Sequence, residues 1–255
     1  MDIVEFNRAA WGRQVEMGLR WSVPVSSQVI AEARAGRWSI VLTPERAVPR
    51  AWFGALEGAD VLALASAGGQ QACVLAAAGA KVTLLDLSPA QLGQDRLVAE
   101  RDGLTLRIEE GDMRDLLRFA ERSFDLVFHP CSNVFIPDVR PVWRECARVL
   151  RPGGRLLAGI VQPFAFLFDD DAMERGELLP IHRVPYADIE SRSPEHLARM
   201  REQGEALAWS HTLDEQIGTL LDSGFALRGL YEDGWPDHKL AELIQPFLAM
   251  LAVRD

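Results

Sequence analysis

Three short stretches hold residues whose types and spacing suit one kind of ligand. Ala65-Ser66-Ala67-Gly68-Gly69 is a run of small residues ahead of a helical segment, where backbone N–H groups and the helix dipole hold an anionic group and small side chains allow close approach. Such a turn also serves plain helix-on-sheet packing, so alone it is weak. Asp86 follows about 20 residues on, directly after an apolar run, the position at which a carboxylate accepts both hydroxyls of a ribose. Ser88-Pro89 already provides the cap of the next helix, which frees Asp86 for that role. Gly111-Asp112-Met113 closes the next strand with a carboxylate that can accept the amino hydrogens of an adenine.

The elements that must position these residues alternate. Strands are predicted over 61–65, 82–85, 104–108, 124–128 and 155–161, the last after a Pro152-Gly153-Gly154 turn. Between them the pattern predicts helices over 70–78, ended by Gly79, over 88–101, ended near Gly103, and over 139–150. Crossovers of this kind impose parallel strands with helices on both faces, so the fold class is α/β with a doubly wound sheet. Thr212 to Glu215 forms a capping box for a helix running to about Ser223, and a strand follows over 225–231. Residues 247–253 read locally as helix because β-branched residues are few. Residues 1–52, which hold Trp11, Trp21, Trp38 and Trp52, and residues 163–210 stand outside the alternation as caps. The chain therefore divides into an N-terminal cap (1–52), a core (53–162), an inserted substrate cap (163–210) and the rest of the core (211–255), all one domain.

With 255 residues, 48% hydrophobic and 25% charged, the chain can bury one sizeable core. The formal charge of −10 makes duplex nucleic acid and anionic membranes poor partners. Three scattered cysteines form neither a metal motif nor a disulfide framework, and no signal-like segment opens the chain, which together predict a cytoplasmic protein. Asp169-Asp170-Asp171 reads as an exposed acidic turn rather than a metal site, since three adjacent carboxylates converge poorly on one cation.

Taken in order, the small-residue turn, Leu85-Asp86-Leu-Ser-Pro89, Gly-Asp112-Met, Ser123-Phe-Asp-Leu-Val-Phe128 and Arg148-Val-Leu-Arg-Pro-Gly-Gly154 resemble the class I S-adenosylmethionine-dependent methyltransferases of the Rossmann-like superfamily. The resemblance runs from about residue 60 to 161, with a further fit over 211–231. It implies a seven-stranded sheet closing on an antiparallel strand, which overrides the local helix preference of 247–253. It also implies S-adenosylmethionine as cofactor and S-adenosylhomocysteine as product. Asp112 and the Pro-Gly-Gly strand, with no Tyr-x-x-x-Lys relay, set it apart from dinucleotide oxidoreductases. The first motif departs from the family: Ala63 stands in the acidic place, and Ala65 and Ala67 in two glycine places. Alanine where φ is positive costs about 1 kcal/mol.

By this resemblance the cofactor rests on Ala65, Ser66, Ala67, Gly68 and Gly69, on Asp86, Leu87 and Gln91, and on Asp112 and Met113. His129 and Asn133 would replace the missing acidic partner of the methionine ammonium, with Trp21 covering from the cap. Methyl transfer from a sulfonium is an in-line displacement that needs a base only for some acceptors, which makes His129 and His211 the candidate catalytic groups. Trp11, Ser22, Tyr186 and Trp209 are the candidate contacts to a small-molecule acceptor; His182, His196 and His238 receive no role. A monomer or homodimer is expected. A noncatalytic cofactor-binding or regulatory protein, and an RNA methyltransferase, are the alternative readings.

Overall fold

The computed structural model describes residues 2–169, 172–173, 175–235 and 239–255. Helices α1 (Ile3–Met17) and α2 (Ser27–Arg34) precede the alternating core: β1 (Asp60–Leu64), α3 (Gln71–Ala77), β2 (Lys81–Asp86), α4 (Pro89–Asp102), β3 (Leu106–Glu110), β4 (Phe124–His129), α5 (Arg140–Val149) and β5 (Leu150–Val161). β6 (Phe225–Asp233) and β7 (Phe247–Arg254) complete a seven-stranded sheet in the order β3-β2-β1-β4-β5-β7-β6, with β7 antiparallel to both neighbours. Residues 247–253 are thus strand, as the resemblance and not the local composition implied.

Strand residues alternate between two apolar layers, the pattern of a sheet covered on both faces. Val61 and Ala63 join the layer that includes Ile30, Leu75 and Leu92, while Leu62 and Leu64 join that of Trp143, Cys146 and Phe225. α4 starts on Ser88, whose Oγ accepts the Gln91 N–H, and ends at Gly103 in the left-handed conformation. The Pro152-Gly-Gly turn lies within β5: pairing with β4 passes from Phe124↔Leu150 to Leu126↔Arg155, leaving the intervening residues as an irregularity.

The capping box forms as expected, Thr212 N–H donating to Glu215 and Glu215 N–H to the Thr212 hydroxyl. The helix it opens is not regular α-helix. A π turn, Asp214–Gly218, precedes one α turn, Thr219–Asp222, and the wider turn carries Gln216 into the interior at 1% exposure. No helix among the described residues is long and apolar enough to cross a membrane.

Candidate functional site

A cavity of about 300 Å³ opens at the carboxyl ends of β1 to β4, within the size range of small-ligand pockets. The loop after β1 supplies Ala65, Ser66 and Ala67; the loop after β2 supplies Asp86, Leu87 and Gln91; the loop after β3 supplies Gly111 to Arg114. Pro130, Cys131 and Ser132 after β4, and Asn7, Trp11 and Trp21 from the N-terminal segment, close the other sides.

Ala65 sits at φ +47°, so the first alanine replacement is strained, whereas Ala67 is not in the left-handed region and carries no such cost. Exchanging Ala65 for glycine should therefore stabilise the fold by about 0.5–1 kcal/mol, read as a higher midpoint of urea denaturation. Gly68 and Gly69 do not line the cavity. Their N–H groups donate to one oxygen of Asp95 at 2.8 and 2.9 Å, and a Cβ at Gly68 would lie 2.2 Å from the Trp21 carbonyl oxygen. Expecting them to hold a ligand's anionic group overlooked an anion supplied by the protein itself.

Asp86 accepts the Ser88 N–H at 2.9 Å and the Ala67 N–H at 3.2 Å, and part of its surface faces the cavity. Burial, only partly offset by these bonds, pushes its carboxyl up to about 6. Asp112 is also at the cavity, but Arg114 grips it: Nε lies 3.0 Å from one carboxylate oxygen and Nη2 2.5 Å from the other. Burial opposes ionisation there, and the Arg114 bonds and charge outweigh it, holding the Asp112 carboxyl low. The side-chain atoms of cavity-lining residues that lack partners among the described residues include Ser66 Oγ and Gln91 Oε1, on residues 4% and 3% exposed. Buried polar atoms of this kind are costly unless a ligand completes them.

Neither candidate catalytic histidine reaches the cavity. His129 is wholly buried, with Nδ1 2.9 Å from the Leu64 carbonyl oxygen and Nε2 2.7 Å from the Asn133 side-chain amide, which in turn meets Gln216 at 3.0 Å. Burial depresses its pKa, so the ring is neutral; Nδ1–H donates to Leu64 and Nε2 must accept. A half-turn of the Asn133 and Gln216 amides supplies that donor and gives one continuous chain from Gln216 to Leu64. Asn133 is consumed in this chain and does not line the cavity. His211 is also buried, its Nε2–H donating to the Asn133 carbonyl at 2.9 Å. Replacing His129 by alanine should thus cost about 2–4 kcal/mol in denaturant unfolding and alter ligand affinity little, because it leaves a buried carbonyl and a void.

The N-terminal segment is fastened over the small-residue turn. Gln70 Nε2 donates to the carbonyls of Arg20 and Val23, both at 2.8 Å, Gln91 Nε2 to the Ser22 hydroxyl at 2.7 Å, and Val25 N–H to Gly69 at 2.9 Å. Ser22 is therefore a buried fastening, not a contact to an acceptor. Trp11 and Trp21 do line the cavity, Trp11 edge-on to Phe135 at 5.0 Å. Trp209 packs away from it with Phe6, Met200 and Leu207. Tyr186 faces a second cavity of about 710 Å³ beneath residues 163–210, its hydroxyl donating to Asp188 at 2.7 Å. The two cavities share Val161, Trp235 and Phe247 as a common wall. His182 and His196, given no role above, also line the second cavity. Asp169 caps the Ala172 N–H at 2.8 Å, while Asp170, Asp171 and His238 lie outside the described residues.

Sequence reasoning missed Asp95, Asn7, Gln70 and Gln216. A signal existed for Asp95: it takes the place of an apolar residue between Leu92 and Val98 on the buried stripe of α4. Asn7 offers none, since its bonds to Phe135 and Leu207 depend on tertiary contacts.

Residues 62–158 match the methyltransferase domain family model. The chain is 48% identical to an uncharacterised methyltransferase of Bacillus subtilis, YbaJ, over 231 residues, 91% of each protein. Its fold superposes on an S-adenosylmethionine-dependent methyltransferase from Mesorhizobium loti, 23% identical, with a TM-score of 0.61 over 80% of this chain and 95% of that one. A chain from the complex of the Haloferax volcanii Trm112 methyltransferase activator with a methyltransferase is 18% identical, with a TM-score of 0.56 over 98% of this chain and 97% of that one. Strand order, site position and these likenesses agree: the chain belongs to the class I S-adenosylmethionine-dependent methyltransferases.

Proposed function

We propose that this enzyme transfers the methyl group of S-adenosylmethionine to a small molecule held in the second cavity, with the cofactor in the first. The junction of the two cavities carries the reading: Val161, Trp235 and Phe247 border both, so a donor in one and an acceptor in the other would meet directly beside these residues, with no side chain between them. The first cavity suits the cofactor: the orphaned Ser66 Oγ and Gln91 Oε1 need polar partners, and Asp86 keeps lone pairs toward the opening. Asp86 would accept the ribose hydroxyls. Leu87 and Met113 would flank the adenine, and Asp112, with Arg114 beside it, would meet the base edge. Ser66 and Gln91 would take polar hydrogens of the remaining groups.

The cofactor brings an activated methyl, so the protein's share is alignment and exclusion of water. Val161 and Phe247 keep the gap between the cavities apolar, and Phe166, Tyr186 and Met200 wall the acceptor side. An acceptor hydroxyl or amine that must lose its proton would meet His182, which lines that cavity and whose Nε2 has no partner among the described residues. The lost proton would reside on that nitrogen. Incubating the enzyme with methyl-labelled S-adenosylmethionine and a fractionated cell extract tests the acceptor class. Label in the fraction below about 1 kDa supports a small molecule in a cavity of this size; label confined to RNA or protein overturns it.

A further inference from the structure

Asp95 is the one carboxylate on α4 that is fully buried, and the reaction as described above does not use it. One oxygen accepts both Gly68 and Gly69 N–H groups; the other accepts the thiol hydrogen of Cys73, 3.4 Å away on α3. Burial pushes the Cys73 thiol well above its ordinary value, so it stays protonated and donates. One side chain thus ties the turn after β1 to the starts of both α3 and the second half of α4. The turn itself is sandwiched: a Cβ at Gly69 would lie 2.9 Å from the Gln94 carbonyl oxygen, and one at Gly68 would strike the Trp21 carbonyl.

We propose that Asp95 is the positioning residue of the cofactor turn, a built-in anion that draws Gly68 and Gly69 inward and so presents Ala65, Ser66 and Ala67 to the cofactor. It rests on the reading that the first cavity holds the cofactor. The usual acidic residue of the first motif is absent, Ala63 being wholly buried in the core, and two of its glycines are alanines. The carboxylate that holds the turn comes instead from α4, the next helix but one. Pairing two adjacent N–H groups with one oxygen fixes the peptide planes between Ala67 and Gly69, directly after the Ala65 to Ala67 segment that lines the cavity.

Calorimetric titration with S-adenosylhomocysteine tests this on four proteins beside the wild type: Asp95→Ala, Asp95→Asn, Asp86→Ala and Val142→Ala. Val142 is a core residue of the opposite layer and reports what general destabilisation does to affinity. Asparagine can keep the geometry, its oxygen accepting both N–H groups while its amide nitrogen meets Cys73. Expected are a loss of roughly tenfold or more for Asp95→Ala, less than about threefold for Asp95→Asn, and none for Val142→Ala. Hydrogen exchange of the Gly68 and Gly69 amides should quicken in Asp95→Ala alone. Wild-type affinity in Asp95→Ala, or an equal loss in Val142→Ala at matched melting temperature, overturns the proposal. If Asp95→Ala does not fold, Asp95→Glu replaces it: the charge stays but the oxygen is displaced, so a tenfold loss supports the role and unchanged affinity overturns it. Should Asp86→Ala bind like wild type, the placement of the cofactor fails instead, and the two failures are told apart.

Discussion

Exchanging Asp86 for alanine should weaken S-adenosylhomocysteine binding by about two to three orders of magnitude. Each hydrogen bond from a ribose hydroxyl to an ionised carboxylate contributes about 1.5–2 kcal/mol, and two are lost together. The same carboxylate makes affinity depend on pH. Burial holds Asp86 at about 6 in the free protein, whereas the bound hydroxyls need its ionised form. Affinity should therefore rise by roughly tenfold from pH 5 to 7 and level off above, a slope that Asp86→Ala flattens. Stability moves the other way. Asp86 and Asp95 both sit near 6 when folded against 3.8 when unfolded, so the folded state binds protons that the unfolded state has released. Their contribution is complete below about pH 4 and is lost as pH rises through about 6, on the order of 3 kcal/mol for the fully buried Asp95. Unfolding of the free protein at pH 5 and 7, set against the titration series, checks both signs.

Removing residues 1–25 should lower cofactor affinity by at least about tenfold while the sheet still folds. Neither of the two large apolar layers draws a fully buried residue from before Ile30, so the sheet keeps its core. What goes is Trp21 on the cavity wall, the Gln70 and Gln91 bonds to residues 20–23, and the Asn7 bonds that join Phe135 to Leu207. The Gly69 carbonyl also loses Val25 N–H as its donor. Calorimetry and circular dichroism on the truncated chain separate the outcomes: a folded protein with undiminished affinity would reduce the segment to packing.

The core was legible because each signal is local. Alternating apolar runs, Ser88-Pro89, Gly103 and the acidic strand end at Asp86 act within a few residues, and all lie where their spacing placed them. The side-chain chemistry was less legible, because a residue's type does not say which face it turns. His129 ends a strand beside the cavity, yet its ring points into the layer below, edge-on to Trp143 at 6.0 Å. Gly68 and Gly69 read as free donors only because the acceptor, Asp95, is more than twenty residues away. The π turn was hidden for the same reason: Gln216 is drawn in by Asn133, a partner that no helix propensity registers.

Val161 and Phe247 face both cavities, and they are also register partners at the end of the antiparallel β5–β7 ladder. The border shared by the two cavities is therefore a cross-strand pair, fixed by backbone bonds of the sheet itself and not by the segments that cover it. Residues 163–210 can change in length and lining without moving that border. On the proposed placement, acceptor preference can drift across descendants of this fold while the place where donor and acceptor meet is inherited unaltered.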